Sequence, residues 1–174
     1  MKSLKKDFLK YCSTNKLKIN KNQIEIINLL IQFHKNCFKN FFFSYLLKNK
    51  NKKSGFYLFG GVGVGKTMLL DFFYENLNLP KQRFHFNEFM IIFHDYTHSR
   101  KEIDKDNSIK SFVEKIKKEC KLIYFDEFQV TNIVDAMILG KLFETMFNEN
   151  IKIIMTSNTK LEKLYKDGLQ REQF

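Results

Sequence analysis

Gly60-Gly61-Val62-Gly63-Val64-Gly65-Lys66-Thr67 satisfies the pattern G-x-x-x-x-G-K-[ST] at every fixed position. Glycines let the backbone turn tightly enough to aim several N–H groups at one point. The positive end of a following helix adds its field there, so the stretch predicts a phosphate cradle. Within it, Gly60, Gly61, Val62, Gly63, Val64 and Gly65 supply the backbone, Lys66 reaches the terminal phosphates, and the Thr67 hydroxyl faces Mg2+. The flanks agree with this reading. Gly55 to Phe59 has the composition of a buried strand, and Met68 to Tyr74 that of a helix leading away from the loop.

The second decisive run is Lys121-Leu122-Ile123-Tyr124-Phe125-Asp126-Glu127, apolar until it ends in two carboxylates. Continuous apolar residues suit a parallel strand covered on both faces, and the carboxyl ends of such strands carry ligands in α/β folds. Asp126 is expected to hold Mg2+ opposite Thr67. Glu127, next along an extended backbone, is expected to point elsewhere and act as general base on a water. Ile151 to Asn158 reads as a further apolar strand with a polar end, where the Asn158 amide can orient the water or contact a phosphate.

Other segments fill in an alternation of strands and helices. Arg83 to Phe86 reads as a short strand and Glu88 to His98 as a helix. Lys101 to Ser108 reads as a loop, Ile109 to Glu119 as a helix, Asn132 to Asn148 as a helix capped by Thr131, and Thr159 to Lys166 as a short helix. Such alternation implies an open parallel sheet with helices on both faces, the fold class of an α/β phosphate-loop NTPase. Two helical patterns precede it, from Met1 to about Asn20 and from Asn22 to Phe38. Lys48 to Lys53 forms a basic linker, so residues 1–53 read as an N-terminal helical segment and 54–174 as the nucleotide-binding core. His94 and His98 stand four apart but lack a third metal ligand, and read as surface histidines.

Composition narrows the class. A chain of 174 residues, 44% hydrophobic, is long enough for one domain with a core. Cys12, Cys37 and Cys120 show neither zinc nor disulfide spacing, which fits a reducing compartment. No apolar run reaches the length of a membrane span. The basic N-terminus leaves a transit peptide open, against which stand Asp7 and the lack of arginine, and a cytoplasmic protein fits. The net charge of +11 admits an acidic partner such as nucleic acid. Its runs lack interleaved aromatics for base stacking, and a solvated surface and linker explain them better than a nucleic-acid site. Arg171 admits two readings, an arginine reaching a neighbouring subunit's nucleotide or a surface residue of the chain's tail.

Taken together, the phosphate loop, Phe86-Asn87-Glu88-Phe89-Met90, Phe125-Asp126-Glu127-Phe128-Gln129-Val130-Thr131, Asp135-Ala136-Met137-Ile138-Leu139, Thr156-Ser157-Asn158 and Leu164 to Glu172 resemble the ZapE/AFG-one-like ATPases of the AAA+ superfamily. The resemblance covers about Ser54 to the end and is weaker in the N-terminal helices. It implies an oligomeric ATP-hydrolysing AAA+ protein with ATP and Mg2+ as ligands and protein partners. In bacterial members these act at the division ring, and in mitochondrial members in membrane-protein quality control, peripheral at the inner membrane. It also implies a sensor role for Asn158 and an inter-subunit finger role for Arg171. Asn87 and Asn132 depart from the family's common His and Asp. Four strands are countable where the AAA+ sheet has five, so the last core strand and the helical lid are expected to be missing. A DNA-linked ATPase like the helicase loaders and a non-catalytic nucleotide-binding module remain the alternatives.

Overall fold

The computed structural model describes residues 4–38, 54–99 and 105–166. Its elements, in chain order, are α1 (Leu4–Thr14), α2 (Lys21–Phe38), β1 (Gly55–Phe59), α3 (Lys66–Glu75), β2 (Lys81–His85), α4 (Phe86–His98), α5 (Lys105–Glu119), β3 (Leu122–Asp126), α6 (Ile133–Asn148) and β4 (Lys152–Ser157), followed by one 3-10 turn at Leu161–Lys163. The four strands form a single parallel sheet in the order β1-β4-β3-β2. After β1 the chain therefore crosses to the far edge through α3, then returns strand by strand.

The period-two alternation of the central strands divides the core into two layers. Ile123 and Phe125 of β3 and Ile153 and Met155 of β4 face a cluster built by α4, α5 and α6. Leu122 and Tyr124 of β3 and Ile154 of β4 face the opposite cluster, built by α1, α2 and α3. Each helix reaches its layer by helical spacing. Leu4, Phe8 and Cys12 of α1, Ile27, Leu30 and Phe33 of α2, and Phe86, Phe89 and Phe93 of α4 are the buried stripes. The unusual phenylalanine content is packed into these layers, as in the edge-to-face contacts of Phe86 with Phe128 and of Phe89 with Phe125. Both N-terminal helices thus share a core with α3 and the sheet.

Several local expectations are corrected. Strand β2 begins at Lys81 and ends at His85, so Phe86 opens α4. Lys81 joins the strand by pairing with Leu122 of β3, and its ammonium closes the end of α3, donating to Tyr74 O at 2.5 Å and Leu77 O at 2.8 Å. Lys105 to Ser108, expected in a loop, belong to α5. The cap of α6 is Asn132, whose side chain accepts from Val134 N at 2.8 Å, one residue beyond the expected Thr131. After β4 the expected helix shrinks to a single turn at Leu161–Lys163. The Lys48 to Lys53 linker lies outside the described residues.

Candidate functional site

Strand β1 delivers the chain to the glycine loop, where Gly60 N still donates to Ser157 O of β4 at 3.2 Å. Two loop residues need a left-handed backbone, Gly63 at φ 77° and Gly65 at φ 86°, a region costly for residues with a Cβ. Gly65 has a second constraint. A Cβ there would stand 3.3 Å from the Gln23 amide nitrogen, so α2 packs directly behind the start of α3. That first turn of α2 is held by reciprocal bonds, Gln23 N to Asn20 Oδ1 at 2.8 Å and Asn20 N to Gln23 Oε1 at 3.1 Å.

Lys66 opens α3 and turns back over the loop. Its ammonium donates to Gly60 O at 2.9 Å, Gly61 O at 2.7 Å and Asn158 Oδ1 at 2.9 Å. Among the described residues these hydrogen-bond partners are neutral oxygens, so the ammonium keeps its positive charge available for an anion. Asn158, at the end of β4, is thereby brought to the loop from far along the chain.

Thr67 points to the other side. Its hydroxyl donates to Asp126 Oδ1 at 3.3 Å across the gap between α3 and β3. Asp126 is buried, and five donors surround it. On Oδ1 these are Thr67, Thr156 Oγ1 at 2.6 Å, Glu127 N at 3.1 Å and Tyr124 OH at 3.3 Å, while Arg83 Nη2 takes Oδ2 at 2.5 Å. Burial pushes the carboxyl up, but the bonds from Thr156, Arg83 and Thr67 and the Arg83 charge outweigh it and hold Asp126 below its ordinary value. It is therefore an anionic ligand at neutral pH. Two adjacent hard oxygens, a hydroxyl and a carboxylate, suit Mg2+, and the glycine loop with its ammonium suits a polyphosphate.

Glu127 is exposed, as expected of a group that must meet water, but its backbone is not extended. It adopts φ 53°, the left-handed region. The turn aims its N–H inward at Asp126 Oδ1 and Thr156 Oγ1, each at 3.1 Å, and these bonds offset a backbone cost of about 1–2 kcal/mol. Phe128 N then donates to Thr156 O at 2.7 Å, locking the turn against β4.

Four residues not singled out from the sequence complete the site. Arg83 of β2 pairs with Asp126 and, through Nη1, with Asp71 Oδ1 at 3.1 Å, and its guanidinium lies 4.9 Å from the Tyr124 ring centroid. The Asp71 contact is an ion pair by distance, without the alignment of a hydrogen bond. Burial raises the Asp71 carboxyl, opposed by Arg83, and burial also raises the Tyr124 hydroxyl. Thr156 is the fourth. Their spacings were readable, since Asp71 follows Thr67 by one helical turn, and Tyr124 and Thr156 stand two before Asp126 and Asn158. Which strand lies beside β3 was not. His94 corrects the surface reading: it is half-buried and bonded through Nε2 to Asp135 Oδ1 at 2.7 Å, joining α4 to α6. His98 is exposed, and Arg171 lies outside the described residues.

The chain is 44% identical over 130 residues to lactation elevated protein 1 homolog B of Danio rerio, and 40% identical over 121 residues to the cell division protein ZapE of Escherichia coli. Those alignments take in 69% of this chain but 26% and 32% of the relatives' own length. Among solved structures, AMPPCP-bound DnaA from Aquifex aeolicus superposes with a TM-score of 0.56 at 15% identity, covering 91% of this chain and 44% of that one. DnaI gives 0.52 at 20% identity over 91% and 79%, and both likenesses show the α/β fold alone. The sequence model of the AFG1-like ATPases matches residues 15–174, α2 included, and the chain belongs to that family.

Proposed function

We propose that the chain carries the nucleotide site of a Mg2+-dependent ATP hydrolase. The observation that carries this reading is the pair of contacts made by consecutive residues, Lys66 to Asn158 and Thr67 to Asp126. They set a cation and an amide on one side of the loop's exit and two metal-seeking oxygens on the other. Lys66 neutralises charge on the terminal phosphates, and the loop glycines bring backbone N–H groups close to them. Thr67 and Asp126 would hold Mg2+, which supplies charge neutralisation across the phosphate oxygens. Glu127, beside the metal ligand but exposed, takes the proton of the attacking water. A positioned base of this kind contributes about 10²–10⁴-fold. Asn158 orients that water or the terminal phosphate. Arg171 is assigned, through the family resemblance, to the nucleotide of an adjoining subunit in a homo-oligomer.

The relative named as a cell division protein supports a role in division, and the family resemblance adds protein partners as the object of the ATP cycle, there or in membrane-protein quality control. None of the described helices is long and apolar enough to cross a membrane.

Equilibrium titration with a fluorescent ATP analogue in Mg2+ tests the site. Wild type should bind, and Lys66→Ala should lose about 10²-fold or more in affinity, as expected for a charge-assisted phosphate contact. Equal binding by both would remove the loop from nucleotide recognition.

A further inference from the structure

Arg83 stands between two carboxylates that belong to different elements. Nη1 faces Asp71 of α3 at 3.1 Å, and Nη2 faces Asp126 of β3 at 2.5 Å. Registry explains the reach: Arg83 pairs with Tyr124, and Asp126 stands two residues further on the same face of β3. Tyr124 is fully buried, and the Arg83 guanidinium carbon sits over its ring, so packing restricts the fork from that side. On α3, Asp71 follows Thr67 by one turn and shares its face. One planar cation therefore spans the helix that presents Thr67 and the strand that presents Asp126.

On the reading of this site as a Mg2+–nucleotide site, we propose that Arg83 is its positioning residue. By occupying Oδ2 of Asp126 it leaves Oδ1 as the edge turned to Thr67, and by holding Asp71 it fixes α3 at the distance that keeps the two oxygens together. Removing it makes the site more negative by one charge, which taken alone would strengthen Mg2+ binding, so a smaller gain reads lost position and not lost charge. The carboxylate loses its only contact on Oδ2 among the described residues, and becomes free to rotate toward its four Oδ1 donors. Lysine cannot replace it, because a single ammonium lacks the planar fork that serves two carboxylates at once.

The test compares the affinity of a fluorescent ATP analogue in Mg2+ with its affinity in EDTA, whose ratio is the gain due to the metal. Wild type gains affinity from Mg2+. Arg83→Gln should cut that gain by about tenfold, the usual loss when a partner of a metal ligand is removed, while the EDTA affinity stays within about twofold. Arg83→Lys should recover only part of the loss. A merely structural role would lower both affinities together. An unchanged gain in Arg83→Gln, a parallel loss in EDTA, or full recovery by lysine overturns the proposal. Circular dichroism melts report folding. If Arg83→Gln does not fold, Asp71→Asn decides alone: its gain should fall, and an unchanged gain overturns the proposal. A wild type with no gain from Mg2+ overturns the site reading as well, whereas a wild-type gain that Arg83→Gln retains overturns this proposal only.

Discussion

Thr156 Oγ1 lies 2.6 Å from Asp126 Oδ1, and the same oxygen accepts the Glu127 N–H at 3.1 Å. One buried hydroxyl on β4 thus ties together the anchored acid of β3 and the turn that presents its neighbour. Thr156→Val keeps the shape but leaves both groups short of a partner in a buried setting. The expected loss is about 1–3 kcal/mol of unfolding free energy by urea titration, with weaker nucleotide binding. A variant as stable as wild type would show that the hydroxyl is dispensable.

The two carboxylates flanking Arg83 respond to pH in opposite senses. Asp126 is depressed below its ordinary 3.8, so its contribution to stability is complete above that value and is lost as pH falls toward the folded-state value. Asp71 is raised above 3.8, so it disfavours the folded state increasingly as pH climbs through the interval above 3.8. Stability measured from pH 2 to 7 should therefore fall less steeply on the acid side for Asp126→Asn than for wild type. For Asp71→Asn the difference from wild type should instead open above about pH 4. Parallel curves for all three proteins would contradict both assignments.

Gly65 combines a left-handed backbone with the nearby Gln23 amide. Gly65→Ala should cost about 1–2 kcal/mol from the backbone alone. Combining it with Gln23→Ala should return only the smaller steric part, which thermal unfolding of the three variants can resolve. Complete recovery in the double variant would mean that the close approach, and not the backbone, sets the cost.

The bond between His94 and Asp135 joins α4 to α6 on the sheet face opposite α3. His94→Ala should lower stability by about 1 kcal/mol without changing nucleotide affinity. A change in affinity would show that the α4–α6 layer communicates with the loop.

Much of this site lay open in the sequence because its parts are local. The glycine loop, Lys66 and Thr67 are consecutive, Asp126 ends an apolar strand, and Asn158 ends another. The fold class followed from the same alternation, and the parallel sheet and its two helical layers bear it out. Non-local pairings were the hidden part. Arg83 looked like one residue of a short alternating strand, because nothing in its neighbourhood reveals that β2 pairs with β3 in a register that aims it at Asp126. The backbone of Glu127 is hidden for a related reason. A left-handed glutamate contradicts local preference, and it is held by Thr156 and Phe128 contacts that require β4 to be in place. His94 gave no sign of its partner, since Asp135 lies on another helix.

Steady-state ATP turnover in Mg2+ by wild type and by Glu127→Gln tests the hydrolytic assignment most directly, because Glu127 is exposed and its removal leaves the packed core untouched. The variant should bind the ATP analogue as wild type does and lose about 10²-fold or more in turnover. Equal rates for the two proteins, or no turnover by wild type at saturating ATP, would contradict it.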